Sequence, residues 1–320
     1  MTQDFPIYCE YFGFKEKPFS LTPDEEFFFE SKSHRDVIDY LRFFLRQRES
    51  VALVLGDVGT GKTMTSRKFI TGLDTRTYNT ALILNPILSE LEFMQELMRE
   101  FRIQFSKGES LRDLYERFQN FLLNEFKNGK MTVCVIDEAQ LLPDSTLDFI
   151  RVLSNFETDK EKLLHVIFFA QKEFMDRLKD EEMRYLAQRI TVATELRPLD
   201  EEEVGSYVTY RLYKAGLTRN LRIEKSGSRA IYRYTGGNPR LINLLCDRVL
   251  LLLYLRSKDI IDEKVVQEAA KEETLRHLML PRNGRKVVRL PLIIILLLAI
   301  FGLVYAYLPK LNVVFTALLR

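Results

Sequence analysis

Between residues 49 and 195, short apolar runs alternate with stretches whose apolar positions recur every three or four residues. The runs 51–55 (VALVL), 80–84 (TALIL), 131–136 (MTVCVI), 165–170 (HVIFFA) and 190–194 (ITVAT) have strand length and continuous apolar character, as expected of strands covered on both faces. The intervening stretches 63–73, 89–102 and 109–128 carry the helical period. In the last of them Leu111, Leu114, Tyr115, Phe118, Leu122 and Phe126 form one stripe, which reads as core packing against a sheet. Strand and helix in alternation predict an α/β layer with a mainly parallel sheet and helices on both faces.

Past residue 196 the period is helical throughout. Segments 201–215, 224–235, 239–257 and 262–278 are separated by turns containing Gly216, Gly236, Gly237 and Pro239, so a second, all-α unit is expected over 196–278. A short basic linker, 279–289, leads to residues 290–308, LPLIIILLLAIFGLVYAYL, 19 residues without a charge. As a helix this stretch is about 28 Å long, close to the hydrocarbon thickness of a bilayer. Its 13 Leu, Ile, Phe and Val residues favour insertion by about 4–8 kcal/mol as an upper bound. A single transmembrane helix is therefore expected. Arg282, Arg285, Lys286 and Arg289 precede it, which keeps the large N-terminal part in the cytoplasm; Tyr305 and Tyr307 fall at the outer interface, and 309–320 forms a short extracytoplasmic tail. The opening MTQDFPIYCE has no basic and apolar leader pattern, so the expected location is the inner (cytoplasmic) membrane, single-pass.

Charge and composition narrow the partners. The chain of 320 residues is 46% hydrophobic and 29% charged, a globular mixture with room for more than one unit. Its net charge of +2 hides an asymmetry: residues 1–275 hold 40 basic against 45 acidic residues, and 276–320 hold seven basic residues and no acid. An acidic folded part argues against nucleic acid as the main partner. Cys9, Cys134 and Cys246 lack disulfide or zinc spacing, and His34, His165 and His277 are scattered, which reads as ordinary surface or boundary placement.

The chemistry is concentrated in two places. Residues 56–63, GDVGTGKT, follow the first apolar run and open a helical stretch. In this G-x-x-x-x-G-K-[ST] arrangement backbone N–H groups of Gly56, Asp57, Val58, Gly59, Thr60, Gly61 and the helix start through Met64 surround a phosphate. Lys62 reaches the β- and γ-phosphates and the Thr63 hydroxyl ligates Mg²⁺. The run 131–136 then delivers Asp137 and Glu138 beside that loop. Asp137 is expected to hold Mg²⁺ with Thr63, and Glu138 to polarise the water that attacks the γ-phosphate. A nucleoside triphosphate and Mg²⁺ are thus the expected substrate and cofactor.

With these residues in view, the chain resembles the AAA+ ATPases of the general secretion pathway protein A type, which are similar to pilus-biogenesis and transposition ATPases. The resemblance lies in YFGFKEKPFSLTPDEEFFFESKSHR at 11–35, GDVGTGKT, VIDEAQLL at 135–142, MRYLAQRI at 183–190 and TGGNPRLINLLCDR at 235–248. It implies that the nucleotide is ATP, and with it a P-loop ATPase core over 49–195, a helical lid over 196–278, and an N-terminal segment, 1–48, that contributes to the adenine pocket through 19–23. Phe27, Phe28 and Phe29 read as core. It further implies that Gln171 orients the attacking water, although Lys172 stands where the family has a proline. Arg189, with Arg184 as the other candidate, is implied to act as an arginine finger on a neighbouring copy, and Arg240 to sense the γ-phosphate. A homo-oligomer follows.

The function this implies is ATP hydrolysis at the membrane that assembles or remodels an envelope secretion or pilus machine. Two alternatives stand beside it: a nucleotide switch acting on a transposase or DNA-bound complex, and a polysaccharide-export or exosortase-associated ATPase. The family often carries a peptidoglycan-binding domain outside the membrane, which is not expected here after the span.

Overall fold

Strands β1 (Val51–Leu55), β2 (Tyr78–Ile83), β3 (Met131–Ile136), β4 (Leu164–Ala170) and β5 (Ile190–Glu195) form one parallel sheet in the order β2-β3-β4-β1-β5. The structure is a computed structural model and describes residues 6–84 and 86–272, with Leu275 and His277. Every residue of β4, and all but one residue each of β1 and β3, is buried, the two-sided burial that their unbroken apolar sequences anticipate. At the edge, β5 alternates partly buried and exposed positions.

The helices, in chain order, are α1 (Ile7–Phe12), α2 (Lys32–Arg46), α3 (Lys62–Thr71), α4 (Glu90–Glu100), α5 (Leu111–Lys127), α6 (Asp144–Leu153), α7 (Phe174–Arg177), α8 (Arg184–Ala187), α9 (Glu201–Lys214), α10 (Lys225–Thr235), α11 (Pro239–Leu255) and α12 (Glu263–Ala269). One sheet face is covered by α4, α5 and α6 through Phe93, Leu97, Leu114, Phe118, Leu147 and Ile150. The other is covered by α2 and α3 through Val37, Leu41, Phe44 and Phe69. The start points are written locally. Ser31, Ser89, Ser110 and Asp200 each cap a helix in a reciprocal box with the residue three positions on, an arrangement that satisfies two otherwise orphaned donors.

Two expectations need correction. The unit after residue 196 is not all-α, since β6 (Arg222–Ile223) pairs in parallel with β7 (Ile260–Ile261). The pair fastens the start of α10 to the loop between α11 and α12. The histidines are not surface residues as a group: His34 and His165 are both buried, while His277 is exposed.

The N-terminal stretch divides between the two cores. Tyr8, Cys9, Phe12, Phe19 and Phe27 share one hydrophobic cluster with Val208, Leu212, Val249 and Leu250 of α9 and α11, whereas α2 belongs to the sheet. Residues 279–289, the stretch 290–308 and the tail 309–320 lie outside the described residues. Among the described residues no helix is long and apolar enough to cross a membrane.

Candidate functional site

The site lies where parallel strands end. Register places Leu55 of β1 against Ala170 of β4 and Ile136 of β3 against Phe168, so Gly56, Asp137 and Gln171 leave the sheet at one edge. The strand order turns back at this point, because β1 lies between β4 and β5 and its successor β2 is at the far edge. Open parallel sheets bind ligands outside such carboxyl ends.

The loop from Gly56 to Gly61 is held at both sides. Gly56 N–H donates to Ala170 O at 3.1 Å and the Thr60 hydroxyl donates to Asp57 O at 2.8 Å. Gly59 and Gly61 have φ of 81° and 99°, left-handed values that suit glycine. A side chain at Gly59 would also stand 2.7 Å from both Arg240 Cβ and Asn238 Oδ1. Lys62 opens α3 and is buried. Its Nζ donates to Gly56 O at 2.9 Å and Asp57 O at 3.2 Å, bridging the mouth of the loop. Burial lowers its pKa, and Glu138, Asp137 and Asp57 oppose that shift.

Asp137 is 2% exposed, and burial raises its carboxyl above the usual range. Its Oδ2 accepts the Thr63 hydroxyl at 2.5 Å, and its Oδ1 is buried without a hydrogen-bond partner among the described residues. A buried carboxylate oxygen in this condition calls for a ligand. A threonine hydroxyl and one carboxylate form a hard-oxygen set suited to Mg²⁺, which takes its remaining coordination from water and substrate phosphate. Among the described residues no group of three or more His, Cys, Asp and Glu side chains forms a metal cage.

Glu138 follows in a left-handed conformation, φ 50° and ψ 40°, a strain of about 1–2 kcal/mol for a residue with a Cβ. Its Oε2 accepts from Gln171 Nε2 at 3.2 Å and from Gln140 Nε2 at 2.5 Å. Gln140 Oε1 in turn accepts Gln171 N–H at 3.1 Å. Arg177 of α7 donates to the carbonyls of Gln140 and Leu142 at 2.8 and 3.0 Å and pairs with Asp144. Gln140 therefore belongs to the hydrogen-bonded set around Glu138, although its only sequence signal is its place two residues after that glutamate. Lys172, at the family's proline position, bridges Asp57 and Glu195 at 3.3 and 2.7 Å and so ties the phosphate loop to β5.

The lid touches the loop through the start of α11. Asn238 Nδ2 donates to Val58 O at 2.7 Å, its Oδ1 caps Arg240 and Leu241, and Arg240 N–H reaches Gly59 O at 3.4 Å. The cavity between loop and lid is lined by Val58 to Met64, Glu138 and Arg240 at one end and by residues 20–24 and 27–29 at the other. Phe27 is core as expected, but Phe28 and Phe29 are only partly buried. His34 joins the two ends. Its Nδ1 accepts from Ser31 N–H at 3.3 Å and lies 2.6 Å from Ser31 Oγ, so the ring proton is on Nε2, which faces the Thr60 backbone, and Phe28 meets the ring edge-on at 5.0 Å. Desolvation lowers its pKa to about 4.

Arg184 and Arg189 are not brought to this cavity. Arg184 is exposed at the start of α8; Arg189 is partly buried and lies on the side of Glu157, whose carboxyl is held below its usual range by its ion pair with Lys162 and, to a smaller extent, by the Arg189 charge. Arg189 immediately precedes β5, whose first residue pairs with Val51, at the opposite end of β1 from Gly56. The length of β1, about 15 Å, separates it from the phosphate loop of its own chain.

Comparison with known proteins agrees with this geometry. An AAA domain family matches residues 45–178. General secretion pathway protein A of Aeromonas hydrophila is 36% identical over 266 residues, covering 83% of the chain. The chain belongs to the AAA+ ATPases of the general secretion pathway protein A type. This AAA+ ATPase spans about half, 48%, of that relative's length. Among solved structures its fold is similar to the ORC2 protein of Aeropyrum pernix in ADPNP–ADP complexes, with a TM-score of 0.59 and 15% identity over 81% of this chain and 72% of that one. It is similar also to Cdc6p of Pyrobaculum aerophilum, with a TM-score of 0.55 and 18% identity over 78% and 71%. At such identities the likeness is one of fold, and it covers sheet and lid together.

Proposed function

We propose that this AAA+ ATPase binds ATP with Mg²⁺ and hydrolyses it, and that an assembly of copies anchored by residues 290–308 in the inner membrane uses the cycle to assemble or remodel an envelope secretion or pilus machine. The observation that carries the catalytic part is the meeting of Lys62, Thr63, the unpartnered Asp137 Oδ1 and the Glu138–Gln171 pair at one sheet edge. The envelope role is supported by the relative's name and by the uncharged stretch at 290–308.

Each residue has a task that its position suits. The loop N–H groups and Lys62 bind the phosphates, and Lys62 exchanges the carbonyls of Gly56 and Asp57 for phosphate oxygens. Thr63 and Asp137 hold Mg²⁺, which when bound neutralises charge on the phosphate oxygens. Glu138 receives the proton of the attacking water, and Gln171 with Gln140 fixes the carboxylate that does so. Arg240 approaches the loop from the lid, placed to respond to the terminal phosphate. Arg189 serves a neighbouring copy.

Calorimetry on the full chain in detergent with Mg²⁺ tests the reading. Lys62→Ala is expected to abolish ATP binding. Glu138→Gln is expected to keep binding and lose turnover by about 10²–10⁴. Absence of binding heat from the unaltered chain overturns the proposal, and undiminished turnover in Glu138→Gln removes that residue's role. Copurification from membranes with the trapped Glu138→Gln form tests the envelope machine.

A further inference from the structure

Arg211 of α9 is 7% exposed, lines the far end of the cavity and, among the described residues, makes no ion pair. A buried guanidinium without a carboxylate is costly unless its donors are spent elsewhere. Here they are spent on the N-terminal segment. Nε donates to Pro18 O at 2.6 Å, Nη2 lies 3.5 Å from Ser20 O, and the charge sits 4.7 Å from the centre of the Phe27 ring. Asn243 of α11 adds a bond from Nδ2 to Ser20 O at 3.1 Å, and its Oδ1 accepts Tyr207 OH at 2.8 Å. One turn away on the exposed side, Tyr210 OH reaches Glu26 O and Phe28 O at 3.1 and 3.2 Å.

The start of the stretch 18–23 depends on these partners: the stretch lies outside every helix and strand, among the described residues it makes no backbone–backbone hydrogen bond, its internal bond is Thr22 N–H to Ser20 Oγ at 3.2 Å, and Pro18 and Phe19 are buried away from water. Backbone groups without a partner are the ones a side chain must satisfy. The rigid fork of arginine fixes two carbonyls two residues apart, which one lysine ammonium matches poorly. With the carbonyls of Pro18 and Ser20 bonded to α9 and α11, the residues that follow, Leu21 to Pro23, line the cavity.

We propose that Arg211, assisted by Asn243, is a positioning residue for recognition of the purine nucleoside: it holds residues 18–23 in the conformation that receives the base, so that base recognition is carried by the lid. This rests on the proposed ATP site and assigns its base end. A backbone shaped in this way affects the base and ribose, and leaves the phosphate end, built on α3 and β3, untouched.

The test compares Mg²⁺·ATP with Mg²⁺·tripolyphosphate, which lacks the nucleoside, in calorimetry on the full chain, with Arg211→Met, Arg211→Lys and Asn243→Ser. Arg211→Met is expected to weaken ATP about ten- to a hundredfold, with tripolyphosphate affinity unchanged. Arg211→Lys and Asn243→Ser are expected to give smaller losses of the same kind. In turnover KM rises and kcat at saturation is retained. Equal losses for both ligands, or unchanged ATP affinity in all three variants, overturn the proposal. If Arg211→Met melts before the assay temperature, the other two variants carry the same comparison. An unaltered chain that binds tripolyphosphate and ATP equally well sinks this inference while sparing the phosphate site, whereas one that binds neither sinks the ATP reading itself and this inference with it.

Discussion

At the phosphate end of the cavity, Lys62, Thr63, Asp137 and Glu138 stand directly on the ends of buried strands or on the helix that follows. At the base end, residues 18–29, regular only in the 3-10 turn Glu25–Phe27, are held from outside by α9 and α11. The first is fixed by a parallel sheet whose central strands β1, β3 and β4 are paired residue by residue; the second is fixed by burial of Phe19 and Phe27 against the lid and by side-chain bonds to its carbonyls. A change at the phosphate end therefore alters chemistry with little effect on shape, while a change at the base end alters shape first.

The largest effect expected from breaking this contrast comes from a residue in neither region. Arg189→Ala should reduce turnover about 10³–10⁵-fold if it supplies charge to a neighbouring copy's phosphate, with ATP affinity of each copy retained. Mixing it with Glu138→Gln, itself inactive, should restore part of the activity, since an intact arginine then faces an intact glutamate at some interfaces. Steady-state phosphate release over a titration of the two variants measures this. A mixture as inactive as its components rules out action between copies.

A smaller loss is expected inside the phosphate end. Gln140→Leu removes one donor to Glu138 and one acceptor for Gln171 N–H, so turnover should fall about ten- to a hundredfold. ATP affinity should hold, because neither bond reaches the loop that surrounds the phosphates. Loss of affinity in place of turnover would place Gln140 in binding.

The same contrast governs what could be read from the chain alone. Residues 51–55, 131–136 and 165–170 announce buried strands by composition, and the chemistry follows them at fixed spacing, Asp137 and Glu138 directly after 131–136 and Lys62 at the far side of the glycine-rich loop after 51–55, so all three are legible from order and spacing. Helix α2 has the helical step in Val37, Ile38, Leu41, Phe44 and Leu45, yet it sits in a stretch whose aromatic-rich beginning packs on the lid, and sequence reading passes over it. The two-residue strands β6 and β7 are too short to carry a period. Arg211, Asn243 and Asn238 act on Pro18, Ser20 and Val58, partners about 180 residues or more away. No local pattern marks such a pair, because the fold alone brings it together.

His34 lies on the seam between the two ends and is where the comparison sharpens most finely. It is an N-terminal residue of α2, its ring meets Phe28 of the base end, and its Nε2 would be 3.0 Å from a side chain at Gly61. In the folded chain its pKa lies near 4, below the 6.5 of a free imidazole, because burial disfavours the cation. Above pH 6.5 the ring is neutral in both folded and unfolded chains and contributes no pH dependence. As the pH falls from 6.5 toward 4 the unfolded chain takes up a proton that the folded chain refuses, so stability is lost by up to about 3 kcal/mol, and no further loss from this residue follows below pH 4. His165 is buried and shifted in the same direction, so the test must isolate one ring. His34→Gln does so, since it keeps a side chain able to hydrogen-bond at that position and cannot titrate. Urea unfolding at a series of pH values between 7.5 and 4 should show a shallower decline for His34→Gln than for the unaltered chain, with turnover at neutral pH changed by no more than about threefold. Parallel declines in the two proteins would mean that His34 is free to charge in the folded state, and the seam between base end and phosphate end would then be open to water.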